Sequence, residues 1–303
     1  MSQFHMRHVL LEVACGLART QKWLPGHWRL VRWLNGQHGA LQLLPARNRS
    51  VGRGRRLFIN GADHDGLRYL IHGITAGDRL TAMMQRLLRP GDVFVDVGAN
   101  VGMYSVVASL CVGESGRVLA LEASPATFDR LRTITEHDAR NIVLKQCAVS
   151  DVVGSTAFFI GPEDHSGVSS MRDLGAAATR RISVSTETLD VLLETWPKIR
   201  LVKIDVEGAE MAVIKGALRI IERDKPFMVM ELTPTFLATF GHSLDELVRT
   251  ITSRGYRCFR IRQPFEEFTG LASDEVQCDV IFVPAAEADG FRSLMGSSRP
   301  MGF

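Results

Sequence analysis

The sequence lacks the patterns that mark several common classes of protein. Its five cysteines are scattered and include no Cys-x-x-Cys pair, so neither a disulfide framework nor a zinc site is indicated. No apolar run approaches the roughly 18–20 residues that span a bilayer. The apolar stretch 9–18 contains Glu12 and lacks the basic start and cleavage site of a signal peptide. We therefore expect a cytoplasmic protein.

Acidic residues are scarce in the first part of the chain. Residues 1–90 contain 14 Lys and Arg against 4 Asp and Glu, whereas the remaining 213 residues contain 22 against 29. Tryptophans accompany the basic residues at Trp23, Trp28 and Trp33. A basic segment with aromatic side chains can lie on an anionic membrane or hold an anionic substrate. Two interpretations of residues 1–56 stay open, peripheral contact with an anionic membrane and a solvated extension covering the core.

Glycine and proline positions divide the chain into three parts. Residues 1–77 are predicted to form a basic extension of helices and a short hairpin. Within it, residues 1–56 are expected to be helical and then to end in a basic connector. Leu57–Asn60 and Leu67–His72 are expected to be extended. Residues 78–290 form the main domain, and 291–303 a flexible tail. The main domain shows short apolar strands alternating with amphipathic helices, which predicts an α/β fold with a sheet buried on both faces.

The predicted elements of the main domain have these bounds. The strands are Val93–Val97, Arg117–Glu122, Ile142–Val149, Leu201–Val206, Phe227–Leu232, Tyr256–Ile261 and Val280–Val283. The helices are Asp78–Leu88, Val101–Val112, Pro125–His137, Glu187–Glu194, Ala209–Glu222 and Leu244–Ser253. An irregular insertion, 151–187, contains two further strand candidates.

A glycine-containing turn follows the first of these strands. It has the sequence Asp96-Val97-Gly98-Ala99-Asn100-Val101-Gly102. The glycines allow a tight turn and let a ligand approach the start of the next helix. The second strand ends at Glu122, a position that suits a carboxylate accepting hydrogen bonds from two ribose hydroxyls. The turn therefore predicts a nucleoside-containing cofactor.

Charge distinguishes the two cofactors that could use this turn. A dinucleotide site has the spacing Gly-x-Gly-x-x-Gly, whereas here Asn100 takes the place of the middle glycine. The carboxylate of Asp96 would repel a pyrophosphate but attract the ammonium group of S-adenosylmethionine (SAM). SAM is therefore favoured, with a nicotinamide cofactor as the alternative. None of the tyrosines begins the Tyr-x-x-x-Lys pair that would support an oxidoreductase or epimerase.

These motifs resemble the FkbM family of SAM-dependent methyltransferases. The resemblance covers roughly residues 78–262 and is carried by the runs GDVFVDVGANVGMYS, LALEASP, CAVSD, GVSSM, TLDVLL, VKIDVEGAE and MELTP. It implies a Rossmann-like class I fold with a mostly parallel seven-stranded sheet flanked by helices. It also implies O-methylation, often of sugars, glycolipids or polyketide-type products.

The resemblance places SAM against a set of residues that begins in the glycine turn. They are Asp96, Gly98, Asn100, Gly102 and Glu122, with Ala148 of the CAVSD run added. Next to Ala148, Cys147 stands where many relatives have Asn, so the contacts on the adenine side differ from the family pattern.

Acidic residues gather at the ends of two later strands. Lys203, Asp205 and Glu207 are expected to share one face of the strand Leu201–Val206 if it continues that far, and Glu231 closes the strand Phe227–Leu232. Ligands of open α/β sheets bind outside the carboxyl ends of strands, so these groups are expected to border the cofactor cleft. One of them is predicted to take a proton from an attacking hydroxyl. The competing interpretation is structural pairing with Lys203.

Two further chemical candidates are weaker. His165 lies in a loop of the insertion and could act as a base from a lid, although a surface histidine is the alternative. No dedicated His and carboxylate spacing is present, and we predict no metal.

The sequence thus predicts an O-methyltransferase that acts on a hydroxyl of a small molecule, a sugar, glycolipid or polyketide-type acceptor, and does not bind nucleic acid. The alternatives are a nicotinamide-dependent oxidoreductase or epimerase, and a nucleic-acid methyltransferase using the basic N-terminal region. The second alternative lacks the Pro-Pro-Tyr/Phe run of many enzymes that methylate base amino groups, because Asp205-Val206-Glu207-Gly208 occupies that place.

Overall fold

The fold was obtained as a computed structural model. It describes residues 3–20, 27–37, 44, 47–52, 55–59, 69–70, 79–135, 139–161, 169–174, 180–262, 265–271 and 275–296.

A seven-stranded sheet forms the centre of the main domain. Its strands are β3 (Val93–Val97), β4 (Arg117–Glu122), β5 (Ile142–Gln146), β9 (Leu201–Ile204), β10 (Phe227–Leu232), β11 (Tyr256–Arg260) and β12 (Cys278–Pro284). The strand order is β11-β12-β10-β9-β3-β4-β5. All neighbouring pairs are parallel except the two made by β12, which is antiparallel to β10 and β11. This is the predicted Rossmann-like, mostly parallel sheet, and strand order reverses between β3 and β9, where such sheets bind ligands.

Helices cover both faces of this sheet. They are α3 (Arg79–Leu87), α4 (Met103–Val112), α5 (Pro125–Arg132), α6 (Leu189–Leu192), α7 (Glu210–Lys215), α8 (Leu218–Asp224), α9 (Pro234–Thr239), α10 (Leu244–Thr252) and α11 (Ala288–Gly296). Ser124 caps α5 by accepting from the Thr127 N–H, with Pro125 in the first helical position, as predicted.

Side chains alternate between two hydrophobic cores because successive strand residues point to opposite faces. In β3, Phe94 belongs to the core that includes α3, α4 and α11. Its neighbours Val93 and Val95 belong to the core beneath α6, α7, α8 and α10. All five residues of β3 are buried, which accounts for the uninterrupted apolar character of the strand apart from Asp96.

The insertion forms a small second sheet. Its strands are β6 (Ala148–Val149), β7 (Gly154–Ile160) and β8 (Arg180–Glu187), in the order β6-β8-β7. β7 and β8 are antiparallel, whereas β6 and β8 are parallel. Ser170 bridges to Phe159 of β7, and its hydroxyl donates to the Glu207 carbonyl oxygen at 2.8 Å. This hydrogen bond joins the insertion to the turn that follows β9.

The described residues of the N-terminal part include two helices and a hairpin. These are α1 (Gln3–Thr20), α2 (His27–Asn35) and the antiparallel strands β1 (Arg47–Gly52) and β2 (Arg55–Ile59). The predicted connector ending at residue 56 was wrong, because the basic segment that it was to include forms β1 and the start of β2. The extended segment predicted for Leu67–His72 was also wrong at Tyr69 and Leu70, which are helical and buried.

Several other boundaries differ from prediction, and the strand predicted over Ile142–Val149 is divided into β5 and β6, which belong to different sheets. The strand predicted to reach Val206 ends at Ile204, and the helix predicted over Ala209–Glu222 is divided into α7 and α8. The tail predicted to start at residue 291 is helical to Gly296, and Phe291 packs in the core. Residues 297–303 lie outside the described part of the chain.

Among the described residues, no helix combines the length and the apolar composition needed to cross a membrane.

Candidate functional site

The turn after β3 has a backbone that glycine makes possible. Gly98, Asn100 and Gly102 all have positive φ, at 76°, 50° and 89°. A Cβ atom at Gly98 would lie 1.8 Å from the Asp205 carbonyl oxygen, a distance that no side chain can occupy. The Gly98 and Ala99 N–H groups donate to the Leu121 carbonyl oxygen, so β3, β4 and the end of β9 meet at this turn.

Asp96 lies beneath the turn and is fully buried. Its Oδ2 accepts from the Ser105 hydroxyl on α4 at 2.6 Å, and its Oδ1 lies 3.8 Å from Lys203 Nζ without a hydrogen bond. Burial raises the pKa of Asp96, and the Lys203 ammonium opposes that shift. One oxygen of a buried carboxylate thus keeps unused capacity to accept hydrogen bonds.

Glu122 connects the glycine turn to the loop after β4. Its Oε2 accepts from the Asn100 N–H at 3.0 Å and its Oε1 from the Ser124 N–H at 2.8 Å. Burial raises the pKa of Glu122 to about 7, and these backbone donors oppose the shift. Because each carboxylate oxygen can accept more than one hydrogen bond, Glu122 can still accept from two hydroxyls of a ligand.

Ala148 and Cys147 lie beyond the end of β5 and are buried. Ala148 packs in a small apolar cluster with Ala123, Phe158 and Val184, next to Met171. This cluster puts the loop after β4 against the insertion. The cluster makes the surroundings of Glu122 apolar on this side.

The acidic strand end does not continue as a strand. The expectation that Lys203, Asp205 and Glu207 share one strand face was wrong at Glu207, because the backbone there is left-handed with φ of 52°. Lys203 is buried and its ammonium is 2.9 Å from Asp205 Oδ2. The structural pairing of Lys203 with Asp205 is therefore present, and Lys203 also lies near Asp96.

Glu207 lies in the most acidic surroundings of the site. Burial raises the pKa of Glu207 to about 8, and repulsion from Asp205, Glu231 and Glu210 adds to that shift. A left-handed backbone is unusual for a residue with a side chain, and such strain is common at functional positions. The turn and the strand ends thus bring together the three carboxylates predicted from sequence.

Glu210 and Glu231 occupy the border of this acidic group. Glu210 is buried at the start of α7; its Oε1 accepts from the Gly208 N–H at 3.0 Å, and its Oε2 has no hydrogen bond. Burial raises the pKa of Glu210 to about 7. Glu231 is partly buried and faces Asp279 across β10 and β12.

A cleft of about 260 Å³ opens beside the Glu207-Gly208 turn. It lies between the insertion, the start of α7 and the connection from α9 to α10. Its lining residues include Asp151, Thr156, Arg172, Ala209, Phe240 and His242. Arg172 lies 5.2 Å from the centre of the Phe240 ring, and its Nη1 donates to the Thr239 carbonyl oxygen. The cleft thus combines an aromatic face with hydroxyl, carboxylate and cationic groups.

Sequence reasoning missed Ser105 and Ser170, which hold the candidate residues in place. Ser105 donates to Asp96, and Ser170 donates to the Glu207 backbone. Ser105 lies three residues after Gly102, on the first turn of α4, which was the available signal. Ser170 belongs to the GVSSM run, but its partner is 37 residues away and no local pattern indicates it.

His165, the fourth predicted catalytic residue, lies outside the described residues. Within the described part of the chain, no group of three or more His, Cys, Asp or Glu residues has an arrangement that could hold a metal ion.

Comparison with known proteins finds similar sequences over the part of the chain that contains these residues. The model described as the methyltransferase FkbM domain matches residues 96–258. Hexuronic acid methyltransferase AglP of Haloferax volcanii is 29% identical over 143 residues, covering 46% of this chain and 56% of the relative. The 31-O-demethyl-FK506 methyltransferase FkbM of Streptomyces tacrolimicus is 28% identical over 177 residues, covering 49% of this chain and 63% of the relative. The chain thus spans less than two thirds of each relative.

A similar solved structure is the methyltransferase FkbM from Methylobacillus flagellatus. It is 17% identical with a TM-score of 0.43, over 67% of this chain and 50% of that one.

Proposed function

The chain belongs to the FkbM family of SAM-dependent methyltransferases, and from this premise we propose that it methylates a hydroxyl oxygen of a small molecule. The family match includes the glycine turn, Glu122 and the acidic strand end. The hydroxyl assignment rests on one observation, the position of Glu207 among other carboxylates with its pKa raised to about 8. A group with such a pKa can accept a proton near neutral pH.

The residues at the ends of β3 and β4 fit SAM. Glu122 would accept from the two ribose hydroxyls with the hydrogen-bonding capacity that its backbone donors leave unused. The unbonded Oδ1 of Asp96 supplies negative charge beneath the turn, where the ammonium of the methionine part would lie. The apolar cluster containing Ala148 would lie against adenine. Gly98 keeps the turn free of a side chain that would displace Asp205.

The acidic group would activate the acceptor. Bound SAM supplies an electrophilic methyl group attached to a positively charged sulfur. An alcohol oxygen attacks that carbon well only as its proton leaves, and Glu207 would take this proton. Asp205, held by Lys203, would orient the hydroxyl, and Glu231 would keep the pKa of Glu207 high by repulsion. These residues would also hold the acceptor hydroxyl in place, and such positioning would supply much of the rate.

The cleft beside Glu207 supports a sugar as the acceptor. Its volume is sufficient for one six-membered sugar ring. Asp151 and Thr156 offer hydrogen-bonding groups for its hydroxyls, and the Phe240 ring, with Arg172 over it, lines the same cleft. The Arg172 guanidinium would favour an acceptor carrying a carboxylate or phosphate. AglP acts on a hexuronic acid, a substrate of the same chemistry.

Binding measurements test the cofactor assignment first. SAM and NAD⁺ are titrated calorimetrically into the wild-type protein, Glu122→Ala and the control Glu267→Ala, whose carboxylate pairs with Arg257 far along the sheet. We expect micromolar SAM binding, a loss of at least tenfold in Glu122→Ala, no change in the control and no heat from NAD⁺. Binding of NAD⁺ without SAM would support the oxidoreductase alternative and overturn the proposal.

Acceptor screening then tests the hydroxyl assignment. Transfer of radiolabelled methyl from SAM is measured with uronic acids, neutral sugars, polyketide alcohols and ribosomal RNA. We expect transfer to a uronic acid, with Arg172→Ala raising KM at least tenfold while SAM affinity is retained. Transfer to RNA alone would contradict the small-molecule assignment.

A further inference from the structure

An apolar surface lies on the N-terminal helices. In the described part of the chain, ten large apolar side chains are exposed, and five of them lie on α1 and α2. They are Val9, Leu10, Val13, Leu17 and Trp33, which together define the N-terminal apolar surface. Leu10 and Val13 are 62% and 54% exposed. Apolar side chains clustered on a protein surface mark an interaction site more often than scattered ones.

The two sides of α1 explain how this surface arises. Leu11, Cys15 and Ala18 recur at helical spacing and are buried in the core with Leu34 of α2. Leu10, Val13 and Leu17 recur at the same spacing on another side and remain exposed. α1 is therefore apolar on both sides, although only one side packs against its own domain. Among the described residues, burial within the fold accounts for the first set, whereas the second set is exposed.

The segment of the chain that contains this surface is rich in positive charge. Residues 1–62 contain ten Lys and Arg residues, and Glu12 is their one acidic residue. On α2, Arg29 and Arg32 are exposed beside Trp33. An anionic bilayer offers partners to both features, since apolar side chains enter the region beneath the headgroups while cations attract the phosphates. Trp is favoured at that boundary because its ring is apolar and its N–H can reach water.

We propose that the N-terminal apolar surface binds the face of an anionic phospholipid bilayer, with α1 and α2 lying on it. A second copy of the chain suits the surface less well, because two regions with a ten-to-one excess of positive charge would be brought together. Nucleic acid suits it less well because Leu10, Val13 and Leu17 offer phosphates no polar group. The proposal is independent of the assigned methyl acceptor.

Vesicle sedimentation tests the proposal with the full chain. The vesicles contain equal parts of phosphatidylcholine and phosphatidylglycerol, with phosphatidylcholine vesicles for comparison. The variant Leu10→Glu/Leu17→Glu is compared with Val191→Glu/Val276→Glu, which changes net charge equally at two exposed valines elsewhere in the chain. We expect the first variant to bind anionic vesicles at least tenfold more weakly, and the second to stay within about threefold of wild type. Equal losses in both variants, or no vesicle binding by the wild type, would overturn the proposal.

Two further measurements keep the result interpretable. Tryptophan fluorescence of the native chain should be quenched by brominated lipid in anionic vesicles, and Trp33→Phe should reduce that quenching. This comparison does not depend on the folding of the glutamate variants. Light scattering should give the monomer mass at micromolar concentration. A dimer mass that Leu10→Glu/Leu17→Glu converts to monomer would show that a second copy covers the surface, contrary to the proposal.

Discussion

Carboxylates lie at two places along the same edge of the sheet, and the two places hold them differently. At the ends of β3 and β4, Asp96 and Glu122 accept from Ser105 and from backbone N–H groups. At the end of β9, burial raises the pKa of Glu207 to about 8, repulsion from its acidic neighbours adds to the shift, and the Lys203 ammonium opposes it. Fixed hydrogen-bond donors suit a carboxylate that binds a cofactor in one geometry. An excess of negative charge around a carboxylate suits a group that takes up a proton.

Gly98→Ala should have the largest effect on both places, because Gly98 lies at the end of β3 and packs against Asp205 at the end of β9. The new Cβ would lie 1.8 Å from the Asp205 carbonyl oxygen, and φ is 76°. We expect a loss of about 3 kcal/mol or more in the free energy of unfolding, together with loss of SAM binding. Urea denaturation and calorimetry measure these effects.

Gly255→Ala is the matched control for Gly98→Ala. Gly255 has a φ of 82°, but a Cβ there would meet no atom within 4 Å. Its cost should be limited to about 1–2 kcal/mol of backbone strain, with SAM binding retained. Equal effects of the two substitutions would show that the contact between Gly98 and Asp205 does not matter.

Ser105→Ala tests how strongly the fixed donor on the cofactor side holds Asp96. It removes the 2.6 Å hydrogen bond to a fully buried carboxylate, so we expect a loss of about 1.5–3 kcal/mol in unfolding free energy. Ser109→Ala on the same helix removes a 2.7 Å bond to the neutral Asn141 side chain and should cost about 0.5–1.5 kcal/mol. Denaturation of both variants at pH 7 measures the difference, and a larger loss in Ser109→Ala would contradict a stronger hydrogen bond at Asp96.

The pH dependence of unfolding in Glu207→Gln tests the raised pKa of Glu207. The folded-state pKa of about 8 lies above the unfolded value, so the folded protein holds this proton more tightly between about pH 4.3 and pH 8. The associated stability is fully present below the unfolded pKa and is lost as pH rises through 8. Relative to Glu207→Gln, the wild type should therefore lose on the order of 1 kcal/mol between pH 5 and pH 9, after allowance for solvent screening.

Glu267→Gln gives the opposite sign as a control. Pairing with Arg257 holds the pKa of Glu267 below its usual value, so its contribution is present above the unfolded pKa and is lost in acid. Thermal unfolding between pH 3 and pH 9 follows both variants. Parallel curves for wild type and Glu207→Gln would refute the raised pKa of Glu207.

Strands that are buried on both faces could be predicted from the sequence. Val93–Val97, Arg117–Glu122 and Phe227–Leu232 have the predicted bounds because their apolar runs end at turn residues or charges. Strand β1 was missed because Arg47–Gly52 has neither an apolar run nor alternation. The end of β9 was placed too late, since period-two spacing of charged residues continues past the point where Glu207 and Gly208 turn the backbone.

Local patterns could identify the cofactor residues but not their surroundings. The glycine turn and Glu122 belong to one β-turn-α-β unit, and the structure brings them together as predicted. The helix over Ala209–Glu222 was expected to be continuous. It is divided near Gly216, where a Cβ would lie 2.1 Å from the Ser150 carbonyl oxygen, a contact with the distant β6 region that the sequence does not indicate.

Paired titration of SAM into Glu122→Gln and Glu207→Gln tests whether the two groups of carboxylates have separate roles, and it needs no acceptor. If the ends of β3 and β4 bind the cofactor and the end of β9 serves the acceptor, Glu122→Gln should weaken SAM binding at least tenfold. Glu207→Gln should stay within about threefold of wild type, with both variants folded by circular dichroism. A larger loss in Glu207→Gln than in Glu122→Gln would contradict this division of the site.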